Sequence, residues 1–356
     1  MVKSAHPRAS QRLAAALLAV AALLGGAPIA AHQQDNTLNI YSYRQEFLLR
    51  PLLDAFKAET GVESRVVYLE SGALERLKAE GRNSPADVVL TADVAQIVNM
   101  ADAGLLQPVQ SAALEANVPQ HLQDSQNRWF GLTQRGRILV VAKDRPLPRP
   151  VASYEDLTDP ALKGKICTRP GKHPYNVTLL ASIVAVKGEA AAEEWARGVK
   201  ANLARKPQGN DRAQAKAVKE GVCDIALINT YYMGLMATND TEPEQKEWAQ
   251  AVRMVFPNQP GQGDGRGTHV NASAGAVTAS APHRAIAVRF LEFLSGSAAQ
   301  KIYAAENFEY PVKAGSELHP IVKSWGDLKT DTVSVERVAE LIDTAAKIMD
   351  IVGYDL

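Results

Sequence analysis

Hydrophobic positions along this chain switch repeatedly between two periods. LNIYSY (38–43) is an apolar run of strand length. After a polar turn, FLLRPLLDAFKAETG (47–61) places its apolar residues at helical spacing and stops at Gly61, as helices tend to. SRVVYL (64–69) and DVVL (87–90) read as further strands, with helices predicted around ALERLKAEG (73–81) and VAQIVNMADAG (94–104). This β-α-β-α alternation predicts an α/β sheet.

The apolar run from Ile138 to Ala142, placed after Arg135 and Arg137, predicts a long strand that leaves the first domain and enters a second. Prolines at 146, 148 and 150 then mark an irregular surface link. Beyond them GKICTRP, a helix over 178–204 and GVCDIALINTYY (221–232) alternate again. Strand, Gly-rich loop and strand across 253–278 read as the chain crossing back. Two helices follow, and a single C-terminal helix is expected over 333–354. Two α/β lobes joined by more than one crossing leave a cleft between them, a preferred place for ligands. The expected division is a first lobe of 32–134 plus about 258–308 and a second of 135–257 plus about 309–356.

At 356 residues the chain is long enough for two domains. Residues 1–31 have the layout of a cleaved export signal: a basic stretch through Arg12, the apolar core LAAALLAVAALL, and small residues before His32. That core is too short to span a membrane, for which about 20 residues are needed. No later segment approaches that length, so no membrane insertion is expected. Removing Lys3, Arg8 and Arg12 with the leader turns a balance of 39 basic and 39 acidic residues into 36 against 39. A mildly acidic protein of this kind is a poor fit to nucleic-acid binding, which wants a basic face.

The motifs of several enzyme classes are missing: there is no G-x-S-x-G, H-E-x-x-H, Walker loop or dinucleotide fingerprint. GQGDGRG (261–267) lacks the lysine followed by Ser or Thr of a phosphate loop and reads as a flexible crossing. The histidines are scattered without an i, i+4 pair, although His173 sits two residues before Tyr175. Cys167 and Cys223 are the only cysteines, and in an exported protein they are expected to pair, the alternative being two buried thiols. A bridge would close a loop of about 55 residues and could add roughly 3 to 4 kcal/mol.

Each cysteine precedes a tyrosine by eight residues, Cys167 before Tyr175 and Cys223 before Tyr231. Bridged strands would therefore present Tyr175 and the pair Tyr231 and Tyr232 at one sheet edge. Such a pair is either a packed aromatic edge or a ligand set. A phenolate at neutral pH needs a hard, strong cation to displace its proton, and ferric iron is one. Three phenolates would neutralise three charges and leave coordination positions for a small bidentate oxyanion. Arg44, in the turn SYRQ, and Arg135 could donate to that anion or could be surface charges.

NIYSYRQEFLLRPLLDAF, SPADVVLTADVAQI, WFGLTQRGR, KHPYNVTLLASIVAVKG and INTYYMG together resemble the periplasmic ferric-ion-binding proteins of ABC importers. The likeness covers nearly all of the chain after the leader. It implies the two-lobed type II periplasmic-binding-protein fold with a hinge and interlobe cleft, and Tyr175, Tyr231 and Tyr232 as ligands of Fe(III). It further implies Arg44 and Arg135 holding carbonate or a similar synergistic anion, a monomer in the periplasm, and an inner-membrane ABC permease as partner. Where many relatives carry His, or His followed by Tyr, this chain has Gln45 and Glu46, which favours iron held by three tyrosines plus an anion; Gln45 is placed on that anion, and Tyr43 stays open as an alternative first-lobe ligand. The competing functions are a binding protein for an organic solute or oxyanion, and a metal-dependent hydrolase.

Overall fold

The computed structural model describes residues 36–70 and 72–356; the expected export leader lies outside them. The described chain begins with β1 (Thr37–Ser42), α1 (Glu46–Thr60), β2 (Glu63–Tyr68), α2 (Ala73–Glu80), β3 (Val88–Thr91), α3 (Val94–Asp102) and α4 (Ala112–Asn117). The chain then enters β4 (Phe130–Ala142), followed by β5 (Ile166–Cys167), α5 (Pro174–Lys187), α6 (Glu189–Ala201) and α7 (Asp211–Lys219). Next come β6 (Ile225–Asn229), α8 (Tyr231–Ala237), α9 (Glu244–Gln250), β7 (Val252–Val255) and β8 (Val270–Val277). The remaining elements are α10 (Arg284–Ser295), α11 (Ser297–Asn307), β9 (Tyr310–Pro311), α12 (Pro320–Ser324), α13 (Val335–Glu340) and α14 (Ile342–Ile351).

The strands run in the order β2-β1-β3-β8-β4-β6-β5, with β7 and β9 also paired to β4. β1 is parallel to β2 and β3, while β8 lies antiparallel between β3 and β4. β4 is the connecting element. Its first half pairs with β8, from Phe130↔Gly275 to Gly136↔Val270, and its second half pairs with β6, from Arg137↔Asn229 to Val141↔Ile225. At 13 residues, all buried, it runs roughly 40 Å. One strand therefore serves two cores, as the unbroken apolar run suggested.

The first core gathers Leu38, Ile40, Leu49, Phe56, Val88, Phe130, Ala274 and Phe290, and also takes in Val312 and Val335. Around the second half of β4 and β6, the period of two along the strands separates two layers. Leu139, Val141, Ile225 and Leu227 face Leu180, Trp195 and Met349. Ile138, Val140, Ala226 and Ile228 face Cys167, Val218, Cys223 and Met236. Cys167 and Cys223 are bridged, with Cα atoms 5.9 Å apart, tying β5 to the turn that enters β6. Among the described residues no helix is long and apolar enough to cross a membrane.

Two expected helices are broken. The helix expected over 178–204 divides at Gly188, whose φ of 82° ends α5 before α6 begins. The C-terminal helix divides at Leu341. In both cases apolar periodicity continues through the break, because both pieces bury a face in the same core, so periodicity alone could not reveal it.

Candidate functional site

The two tyrosine-bearing stretches are helix starts. His173 caps α5, its Nδ1 accepting a hydrogen bond from the Tyr175 N–H at 3.2 Å, and Pro174 occupies the first helical position, where its missing donor costs nothing. Tyr175 thus stands in the first turn of α5. Tyr231 and Tyr232 are the first two residues of α8, directly after β6. α8 packs closely because Gly234 has no side chain: a Cβ there would lie 2.2 Å from the Phe308 ring. The two helix starts meet. The Tyr175 and Tyr231 hydroxyls share a 3.2 Å hydrogen bond, and the Tyr231 and Tyr232 rings stack at 4.3 Å between centroids.

These three phenols line one cavity of about 200 Å³ together with Tyr43, Arg44, Gln45, Arg135, Arg212, Ser273 and Glu309. Arg44 is buried, not at the surface. Its fork faces the Glu309 carboxylate, with Nη2 donating to Oε2 at 2.8 Å, and its Nη1 also donates to Ser273 Oγ. Burial opposes the Arg44 charge, but Glu309, with Tyr303 and Tyr231, outweighs it, and the Arg44 pKa is raised. Arg135, also buried, donates to the same Ser273 Oγ at 3.3 Å and to the Ala92 carbonyl. Ser273 therefore accepts from two guanidiniums, and its own hydroxyl hydrogen is left for another partner. Gln45 is exposed at the start of α1. The Tyr43 hydroxyl accepts from the Ala73 N–H at 2.7 Å.

Behind the tyrosines lies a second cationic group. Asp211, fully buried, receives Arg137 Nη1 at 3.0 Å and Arg169 Nη1 at 3.1 Å, so two guanidiniums share one carboxylate. Asn176 fixes this group by accepting from Arg137 at 2.9 Å and donating to the Arg169 carbonyl at 2.9 Å. The guanidiniums of Arg169, Arg137 and Arg135 lie 4.8, 5.8 and 5.9 Å from the Tyr175 ring centroid. Such a field favours negative charge in the cleft.

Desolvation pushes the Tyr231 phenol well up, with Tyr175 next in effect, and also raises Tyr232. Both phenols are protonated at neutral pH until a cation displaces the proton. The His173 imidazole is pushed down to about 4, by burial first and then by Arg169, so it is neutral and already engaged as a cap. Among the described residues no group of three or more His, Cys, Asp or Glu is poised for a metal, which leaves the phenols as the clustered hard donors. Arg212, Ser273, Glu309 and Asp211 escaped the sequence reading. Arg212 and Asp211 open an amphipathic helix whose charges read as solvated, and nothing local marks Glu309 or Ser273 as facing Arg44. Arg169 lies within the first tyrosine stretch and was the one legible addition.

The family model of bacterial extracellular solute-binding proteins matches residues 41–301. The chain is similar to Iron uptake protein A1 of Synechocystis sp., with 43% identity over 92% of this chain and 90% of that protein. Among solved structures it is similar to the apo ferric ion-binding protein A of Pasteurella haemolytica, with a TM-score of 0.84 and 43% identity over 90% of this chain and 99% of that one. It is equally similar in fold to a Trichodesmium protein in complex with iron and citrate, with a TM-score of 0.84 and 39% identity over 89% of this chain and 99% of that one.

Proposed function

Because this chain belongs to the bacterial extracellular solute-binding protein family and has its two-lobed type II fold, we propose that it captures ferric iron in the interlobe cleft and delivers it to an ABC transporter. Iron is the cargo. Tyr175, Tyr231 and Tyr232 supply three phenolates, and the observation that carries this reading is their convergence at two helix starts in one cavity. A carbonate-like anion completes the site, with Arg135 and Gln45 as direct donors and Arg44 adding its charge through Ser273. All protein ligands then come from the second lobe, taken as 135–257 plus about 309–356, which leaves the first lobe, 32–134 plus about 258–308, free to close over the cargo by a hinge.

Export by the leader at 1–31 places the chain in the periplasm, where it works as a monomer facing an inner-membrane permease. Names of similar proteins point the same way, since they include iron uptake and ferric ion-binding proteins. Elemental analysis and ferric titration of the purified mature chain test the proposal. About one iron per chain is expected. A metal-free chain that takes up no iron and instead retains an organic solute would replace this reading with that of an organic-solute carrier.

A further inference from the structure

Three arginines line the cleft, and two of them already donate to protein groups, although the Arg44 Nε is, like that of Arg212, buried without an acceptor. Arg44 faces Glu309 and Ser273, and Arg135 donates to Ser273 and Ala92. Arg212, in the first turn of α7, is different: among the described residues it has neither a hydrogen bond nor an ion pair, and its Nε is buried without an acceptor. Its one recorded interaction is with the Tyr232 ring, 5.2 Å from guanidinium to centroid. A cation over an aromatic face uses none of the five N–H donors. A half-buried guanidinium with idle donors beside phenol oxygens is a place for an oxyanion.

We infer that Arg212 is a second-lobe anchor for the small bidentate oxyanion that accompanies the metal, an inference that rests on the ferric reading above. Charge supports it. Asp211, next in sequence, is already committed to Arg137 and Arg169, and Glu309 to Arg44. Once three phenolates balance Fe(III), the Arg212 charge still has no carboxylate of the protein to meet it. An oxyanion there would lie on the tyrosine side of the cleft, with Arg135 and the spare Ser273 hydroxyl among the groups lining the same cavity. Metal and anion could then assemble on one lobe before closure.

The test compares wild type, Arg212→Gln, Arg212→Lys and Arg135→Gln as full mature chains. Each is loaded with Fe(III) without added anion and then with bicarbonate, phosphate or citrate. Readouts are the visible absorption band and competition against a chelator. The inference expects Arg212→Gln to lose about tenfold to hundredfold in iron affinity with the active anion, a larger loss than it shows without added anion, and to show no anion-induced band shift. Arg212→Lys should recover only part, because an ammonium cannot offer the two parallel donors. The anion that shifts the wild-type band identifies the source. Equal anion responses in wild type and Arg212→Gln would overturn the inference and leave the iron reading standing, as would a wild-type band indifferent to all three anions. A wild type that binds no iron would sink both. If Arg212→Gln fails to fold, an Arg212→Lys response identical to wild type for every anion overturns it instead.

Discussion

The two walls of the cleft are built on opposite principles. On the wall around Arg44, the charges answer one another: Arg44 is matched by Glu309, and Ser273 joins Arg44 to Arg135. On the wall of the tyrosines they do not. Three phenols crowd together, two guanidiniums share Asp211, and Arg212 has no carboxylate. A buried polar group without a full set of partners costs stability, so it persists where something outside the protein completes it. On the proposed reading, the paired charges around Arg44 are mainly scaffold and the tyrosine wall carries the metal.

The largest expected consequence concerns pH. The Tyr231 and Tyr232 phenols are both raised, by desolvation first, and hold their protons near neutrality. Iron must expel those protons, so binding weakens as pH falls. Iron affinity should rise by about tenfold per pH unit for each phenol that loses its proton on binding, and so by at least roughly a hundredfold per unit. Chelator competition between pH 6 and 8 checks the slope, and a flat profile would mean that the second wall binds through groups already ionised.

The first wall is tested by breaking it. Arg44→Ala leaves Glu309 as a buried carboxylate without its partner and should cost about 3–5 kcal/mol of folding stability. The double variant Arg44→Met, Glu309→Leu should regain much of that in chemical denaturation, because removing both charges removes the imbalance. Iron titration of the double variant sharpens the contrast. A scaffold wall predicts a smaller loss of affinity than any tyrosine substitution produces.

The disulfide belongs to the second wall's foundation. Replacing Cys167 and Cys223 together by alanine should lower stability by about 3–4 kcal/mol through the loop of 56 residues it closes. Because β6 remains paired with β4, the tyrosines should keep their places. Thermal melting with and without iron separates the two effects: a lower melting temperature with the iron-induced increment retained is expected.

Much of this was legible in the chain. The long strand, the alternating elements and the cysteine pairing followed from periodicity and composition, and the Cys-to-Tyr spacing brought Tyr175 and Tyr231 to neighbouring positions. Helix breaks at Gly188 and Leu341 were hidden because each pair of helices keeps one apolar face. The start of α8 at Tyr231 was hidden because its sequence, YYMGLMA, is too short for a helical period to emerge. Glu309 could not be foreseen at all. Its pairing with Arg44 spans 265 positions and depends on Phe308 adopting a left-handed φ of 55° against Gly234.

The central claim is that the cargo is held by phenolates of the second wall, and the visible spectrum of iron-loaded protein tests it most directly. Tyrosinate bound to ferric iron absorbs in the visible by charge transfer from the phenolate, so the loaded wild type should be coloured. Tyr175→Phe, Tyr231→Phe and Tyr232→Phe should each weaken or shift the band, and the triple variant should abolish it. A wild type that binds iron without such a band, or a triple phenylalanine variant that keeps it, would contradict the account.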